Sequence, residues 1–269
     1  MIDLTIVIVS FNAREDLAAC LASLRAAPPA VPHEIVVVDN ASADGSADAA
    51  RAVPGVRVIA LERNAGFAAA NNAGIRATRS DLVLLLNSDT LVPAGAIDAL
   101  VARLRRDPSI AVAGPRLVDG EGQPELSFGR MLTPGVELQR KRVQRAIERR
   151  SPTTMDWLRN ETSREHFVDW VSGACLLVRR RDAEAAGLLD ERFFLYTEDV
   201  DFCHAIRKLG RKVLFTPVAT LTHLRGRSRS ARPEPSRQAY RRSHVVFYEK
   251  HHPMWVPLLK LYLRFKGEL

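Results

Sequence analysis

The sequence predicts an α/β fold, a doubly wound and mostly parallel sheet flanked by helices, and three observations carry that reading. Leu4–Ser10, Glu34–Asp39, Val56–Leu61 and Leu82–Leu86 are short, nearly continuous apolar runs, as expected of parallel strands buried on both faces. Between and after them lie alanine-rich helical stretches near 13–26, 46–52, 66–78 and 94–106. Each apolar run ends on polar residues, which in an open parallel sheet gather at one crevice.

In the first helical stretch Leu17, Leu21 and Leu24 recur at helical spacing, and Asn12 with Glu15 has the pattern of a capping box. Pro93 marks the start of the fourth. Beyond 109 the pattern changes. Ile110–Pro115 reads as a strand, Asp119–Gly122 as a turn, and 127–168 as an irregular, basic insertion over the acceptor side. Val171–Arg179 restores order, a helix from Val200 to Leu209 ends at Gly210, and Lys212–Thr216 is a further strand. This divides the chain into a domain over 1–232, with halves 1–109 and 110–232, and a helical, peripheral extension over 233–269.

A chain of 269 residues with 46% hydrophobic content can bury a large core, which excludes global disorder. Its three cysteines, Cys20, Cys175 and Cys203, lie far apart in apolar segments, as core residues in a reducing compartment do. Neither a secretory leader nor a spanning segment is evident, so a cytoplasmic protein is expected. The net charge of +8 is concentrated: residues 139–150 hold six Arg/Lys and one Glu, and 223–244 hold seven Arg and one Glu. Such clusters suit a diphosphate, anionic lipid or nucleic acid, but equally a solvated helix face.

Asn87-Ser-Asp89 follows a hydrophobic strand, where a carboxylate and an amide can anchor Mg²⁺ or Mn²⁺ beside substrate phosphates. Taken alone, it is also ordinary turn chemistry. Glu198, Asp199 and Asp201 follow the aromatic run Phe193–Tyr196 and open a helix. The helix dipole favours acids there, yet three carboxylates exceed what capping needs, and one in a desolvated cleft can act as general base. His223, near Arg225, can complete a metal site made of one Asp and phosphate oxygens, although a solitary histidine is more often structural.

Together, Val9-Ser-Phe-Asn12, Val38-Asp-Asn-Ala-Ser42, Asn64-Ala-Gly-Phe67 with Asn71 and Gly74, Asn87-Ser-Asp89, Trp170-Val-Ser-Gly-Ala174 and Thr197-Glu-Asp-Val-Asp201 resemble the family 2 inverting glycosyltransferases. The resemblance spans roughly 4–225 and leans toward the bacterial rhamnosyltransferase-like branch. It implies a GT-A fold and an enzyme that moves a sugar from a nucleoside diphosphate to an acceptor hydroxyl, with dTDP-rhamnose the leading donor. It implies that Asp39 binds the nucleobase beside Ser10 and Asn12, and that Asn64, Gly66, Phe67 and Asn71 form the ribose and diphosphate side. Asp89 would hold the metal with His223, and Asn87 would support the metal or donor sugar. Trp170 and Gly173 would line the junction of donor and acceptor, with Glu198 and Arg225 also in the substrate-binding set. Asp199 would be the base, leaving Glu198 and Asp201 to orient the loop or cap the helix. Asn in place of the family's commoner Asp at 87 leaves one carboxylate fewer for the metal.

Competing readings fare worse. A nicotinamide dehydrogenase or a sugar-nucleotide pyrophosphorylase needs a glycine-rich turn after the first strand, where this chain has Ser10-Phe-Asn-Ala-Arg-Glu15. A basic nucleic-acid-binding protein finds support only in the arginine clusters, so no nucleic-acid partner is expected. The acceptor, whether glycan, lipid-linked sugar or another hydroxyl, and the oligomeric state are not encoded legibly. Met254–Lys266 mixes leucines and aromatics with cations as interfacial helices do, which suggests peripheral membrane contact. Packing of that apolar face onto the domain is the stronger expectation.

Overall fold

The computed structural model describes residues 2–224 and 233–265. Strands β1 (Leu4–Ser10), β2 (His33–Asp39), β3 (Val56–Ala60) and β4 (Leu82–Asn87) form a parallel block in the order β3-β2-β1-β4. Helices α1 (Arg14–Ala26), α2 (Ser46–Arg51) and α3 (Phe67–Arg76) connect them. All seven residues of β1 are buried, and its side chains alternate between two cores. Val7 and Val9 join Val83 and Leu85 on one face, while Leu4, Ile6 and Ile8 join Leu17, Leu21 and Leu24 of α1 on the other. Each fully buried Leu or Ile contributes about 1.5–3 kcal/mol, so double-sided burial explains why these runs are apolar without alternation. Helix α3 approaches β1 and β2 at Gly74, where a Cβ would meet Val7 Cγ1 at 2.5 Å and Val38 Cγ2 at 3.1 Å.

After β4 come β5 (Thr90–Leu91), α4 (Ala96–Arg106), β6 (Ile110–Val118) and β7 (Phe128–Gly129). Helix α4 starts three residues later than Pro93 suggested, after Gly95 in a left-handed conformation. The segment expected to be irregular contains two helices, α5 (Pro134–Glu148) and α6 (Pro152–Thr162), each opening on a proline at its first turn. Polar and basic side chains on the exposed faces concealed their periodicity. Strands β8 (His166–Val168), β9 (Trp170–Val171) and β10 (Cys175–Arg179) follow, then α7 (Arg180–Ala185), α8 (Glu198–Lys208) and β11 (Lys212–His223). Strand β10 inserts antiparallel between β4 and β6, β11 runs parallel to β6, and β5 and β8 pair antiparallel with β11.

The C-terminal region is helical as expected, forming α9 (Pro233–His251) and α10 (Val256–Phe265), but α9 is not peripheral. Phe247 is fully buried, Ser243 Oγ donates to Leu195 O (2.8 Å), and Asp201 accepts from Lys250 Nζ (2.8 Å) and His251 Nε2 (2.6 Å). Cys20, Cys175 and Cys203 are free and buried, in keeping with a core role. Among the described residues no helix is long and apolar enough to cross a membrane.

Candidate active site

The ends of β1 and β2 are joined by their own side chains. Ser42 Oγ accepts from Asn12 N–H (2.9 Å), and Asn12 Oδ1 accepts from Ala43 N–H (2.8 Å). Asn12 therefore does not cap α1: the N-cap is Ala13, without a side-chain bond, and Asn12 itself has φ 51°. The competing Asx contact across the two loops has taken its oxygen. Beneath this bridge, Asp39 is buried. Its Oδ2 accepts from Ser42 N–H (3.1 Å), whereas Asp39 Oδ1 and Ser10 Oγ have no hydrogen-bond partner in the protein. Buried polar atoms without partners are costly, so these two oxygens are candidates for contact with a ligand.

The loop after β3 is organised by Asn40, which sequence reading had quoted only within a motif. Asn40 Nδ2 donates to Asn64 Oδ1 (2.9 Å), and Asn40 Oδ1 accepts from Ala65 N–H (2.8 Å). Asn64 Oδ1 also accepts from Gly66 N–H (3.0 Å), so the Asn64 side chain holds the turn. Gly66 has φ 89°, and a Cβ there would lie 2.5 Å from Phe194 O. Phe67 N–H donates to that same carbonyl (2.7 Å), docking α3 on the segment that leads to α8. Asn71 lies below the site, 1% exposed, with its amide donating to Phe67 O (2.9 Å).

At the end of β4, Asp89 meets a residue distant in sequence. Pairing of β5 with β11 sets His223 opposite Thr90, and His223 Nε2 lies 3.2 Å from Asp89 Oδ1. Asn87 Nδ2 is 3.4 Å from the same nitrogen, and His223 Nδ1 donates to Glu125 Oε2 (3.1 Å). Glu125 is a buried residue that sequence reading missed, since one acid after a turn gives no local signal. Burial alone would lower the His223 pKa, but hydrogen bonds to Asp89 and Glu125 outweigh it and raise the imidazole to about 9. A carboxylate on one imidazole nitrogen, here Glu125 on Nδ1, is the outer-shell contact that orients metal-binding histidines, and a bound cation would take the place of the Nε2 proton that faces Asp89. Among the described residues no three His, Cys, Asp or Glu side chains are grouped to hold a metal by themselves. The donor set therefore suits a hard divalent cation whose remaining positions go to phosphate oxygens or water. Arg225 lies outside the described residues.

The acidic cluster is reached through two consecutive left-handed residues, Tyr196 (φ 71°) and Thr197 (φ 64°). Such conformations are costly for non-glycine residues and persist where surroundings enforce them. Here α9 does so through Ser243 and through Tyr240, whose ring lies 5.9 Å from that of Tyr196. Asp199 Oδ2 accepts from Gly173 N–H (3.0 Å) and Oδ1 from Val200 N–H (2.8 Å). A Cβ at Gly173 would lie 3.3 Å from Phe67 Cε1 and 3.6 Å from Asp199 Cβ, so these three residues converge. Asn87 N–H donates to Ala174 O (3.0 Å), which places the Asn87-Ser-Asp89 turn beside the same strand entry.

The three acids have separate fates. Burial raises the Asp199 carboxyl above the ordinary Asp range, opposed by the N–H groups of Gly173 and Val200 and by the charge of Arg140. Glu198 is raised further, by burial and then by the Asp199 charge, and its Oε2 has no partner. Asp201 points the other way, into α9. The predicted capping is not made: the residue before α8 is Thr197, and no side-chain cap bond forms. Trp170 is 3% exposed, with its indole N–H donating to Arg130 O (2.9 Å), and sits one layer below the crevice. Arg140 of α5 lies over its ring at 4.7 Å. In the sequence Arg140 is one charge of a basic segment, and its proximity to Trp170 and Asp199 is created by folding.

The sheet carries a carboxylate–histidine pair, Asp89 and His223, at one strand end and the Asp199 carboxylate beside Gly173, and the comparisons assign the chain to the glycosyltransferases. The family model described as glycosyl transferase family 2 matches residues 5–166, and the chain belongs to that family. An N-acetylglucosaminyl-diphospho-decaprenol L-rhamnosyltransferase of Mycobacterium tuberculosis is 30% identical over 265 residues, covering 94% of this chain and 86% of the relative. The low-salt glycan biosynthesis hexosyltransferase Agl10 of Haloferax volcanii is 27% identical over 213 residues, 77% of this chain and 62% of the relative. Among solved structures, the mannosyltransferase PcManGT of Pyrobaculum calidifontis with GDP-Man and Mn²⁺ superposes with a TM-score of 0.63 at 18% identity, over 96% of this chain and 68% of that one. GalNAc-T7 with UDP, GalNAc and Mn²⁺ gives 0.62 at 20% identity, over 83% of this chain and 43% of that one. These likenesses support the GT-A fold and the rhamnosyltransferase-like reading of the motifs.

Proposed function

We propose that this glycosyltransferase moves a hexosyl group, with rhamnose from a dTDP donor the preferred case, onto a hydroxyl of a glycan or lipid-linked sugar with inversion. The observation that supports the proposal is that Asp89 pairs with His223 (3.2 Å) after β4 while Asp199 accepts from Gly173 N–H (3.0 Å) near the same strand entry; we read the pair as the phosphate side and Asp199 as the acceptor side. The rhamnosyl donor and the lipid-linked acceptor are favoured because the Mycobacterium relative is named for both.

Asp39 and Ser10 would take the nucleobase through their unpartnered oxygens, while Asn40 and Asn64 hold the Gly66 turn against ribose and diphosphate. Asp89 and His223, supported by Asn87 and Glu125, would hold Mg²⁺ or Mn²⁺, which neutralises charge on the departing diphosphate. Asp199 removes the acceptor proton as the acceptor oxygen bonds to the anomeric carbon. The bond from that carbon to the diphosphate breaks on the opposite face, and its electron pair leaves with the diphosphate. Burial, and then the charge of Asp199, both disfavour ionisation of Glu198 beside the base.

The test is transfer with a panel of nucleotide sugars in the presence of Mn²⁺, Mg²⁺ or EDTA, scored with polyprenyl-diphosphate-linked and free sugar acceptors. Metal-stimulated transfer from dTDP-rhamnose with a change of anomeric configuration is expected. Retention of configuration, or full activity in EDTA, would refute the mechanism.

A further inference from the structure

Helix α10 is apolar on two sides. Leu259 and Leu263 are buried against the domain, as expected from sequence, whereas Leu258 (57% exposed), Leu261, Tyr262 and Phe265 (84% exposed) face solvent. At 100° per residue from Val256, those four project at about 200°, 140°, 240° and 180°, and Leu259 and Leu263 at about 300° and 340°. The solvent side thus carries its own i, i+3, i+4, i+7 stripe. Met254, 90% exposed, and Trp255 extend it through the preceding turn. Scattered exposed apolar residues are normal; a continuous stripe of six large ones marks a contact surface.

Charge identifies the occupant. No Asp or Glu occurs between Lys250 and Phe265; Arg264, at about 80°, borders the stripe, while Lys260, at about 40°, turns away from it and pairs with Glu249 (2.9 Å). A second copy seated here would set its Arg264 against a surface without carboxylates. The helix has ten residues, about 15 Å, which is too short for the three to four heptads a coiled-coil seam requires. Leucines with an indole and a phenol, bordered by the Arg264 cation and free of carboxylates, suit the boundary between acyl chains and anionic headgroups.

We propose that α10 and the turn before it lie flat on an anionic lipid bilayer, with the Met254–Phe265 stripe inserted among the headgroups. Leu259 and Leu263 hold the helix on the domain by its other apolar side. The inference does not depend on the transferase reading, because binding is measured without donor or acceptor.

Sedimentation with phosphatidylcholine vesicles, with and without phosphatidylglycerol, tests it on the full chain. Wild type should pellet with the phosphatidylglycerol vesicles and more weakly with phosphatidylcholine alone. The triple variant Leu258→Ser, Leu261→Ser, Phe265→Ser changes exposed positions only, and its partitioning should fall about tenfold or more with an unchanged melting temperature. The proposal is overturned if wild type stays in the supernatant or the triple variant binds equally well. It is also overturned if wild type is a dimer that the variant dissociates while neither pellets, since the stripe is then an interface between copies.

Discussion

Replacing Asp199 by Asn tests the catalytic base, and the geometry shows that the substitution is not silent. Both carboxylate oxygens accept backbone N–H groups, from Gly173 at 3.0 Å and Val200 at 2.8 Å. Asparagine has one acceptor oxygen, so its NH₂ must face one of these donors, at a local cost of about 1–3 kcal/mol. Loss of the base removes a further ~10²–10⁴ in rate, about 2.7–5.4 kcal/mol of transition-state stabilisation. The two effects separate experimentally. Donor affinity by calorimetry and melting temperature should report the local cost, and single-turnover transfer should fall at least about a hundredfold. Glu198→Gln is the matched control. Burial and the Asp199 charge both disfavour its ionised form, and Gln mimics the neutral one, so transfer should stay within a few-fold of wild type. An Asp199→Asn enzyme that transfers within a few-fold of wild type, beside an inactive Glu198→Gln, would assign the base to Glu198 and refute the reasoning.

Removing Arg140 should shift the pH profile. Its positive charge favours the Asp199 carboxylate, so Arg140→Ala raises that pKa further and moves the acidic limb of kcat to higher pH, with little change on the alkaline side. Glu125→Gln should weaken Mn²⁺ affinity about 10–100-fold by loosening His223, whereas Asp89→Ala should abolish metal stimulation; calorimetric titration in the presence of nucleoside diphosphate reads both. Asp39→Ala should weaken nucleotide binding by about 1.5–3 kcal/mol with kcat nearly unchanged, and competition between thymidine and uridine diphosphates measures the base preference.

Much of this architecture was legible because it depends on local pattern. Strands β1, β2 and β4 are buried on both faces, so their apolar runs have no alternative placement, and the polar residues that follow must emerge at the carboxyl edge. Gly66 and Gly74 were visible within motifs, although the carbonyl of Phe194 and the methyl groups of Val7 and Val38 that require them were not. Helices α5 and α6 were read as irregular because little of either is buried. A helix that contributes few core residues shows a weak apolar period and many charges. Asn12 matched a capping box by spacing, yet a contact with Ala43 across the loops took its oxygen.

The sequence by itself determined the parallel sheet, the family and the identity of the acids at strand ends, since these rest on periodicity and on motifs a few residues long. Tertiary structure alone decided how the three acids of α8 divide. Asp201 is held by Lys250 and His251, Glu198 is buried without a partner for Oε2, and Asp199 is left at the crevice with Gly173. It also decided that Glu125 supports His223, that Arg140 reaches Trp170, and that α10 has a second apolar side. The physical reason is the same in each case: the partners lie 26 to 98 residues apart in sequence, or, for the solvent-facing stripe, the deciding fact is which side the core leaves uncovered. No short-range pattern records either.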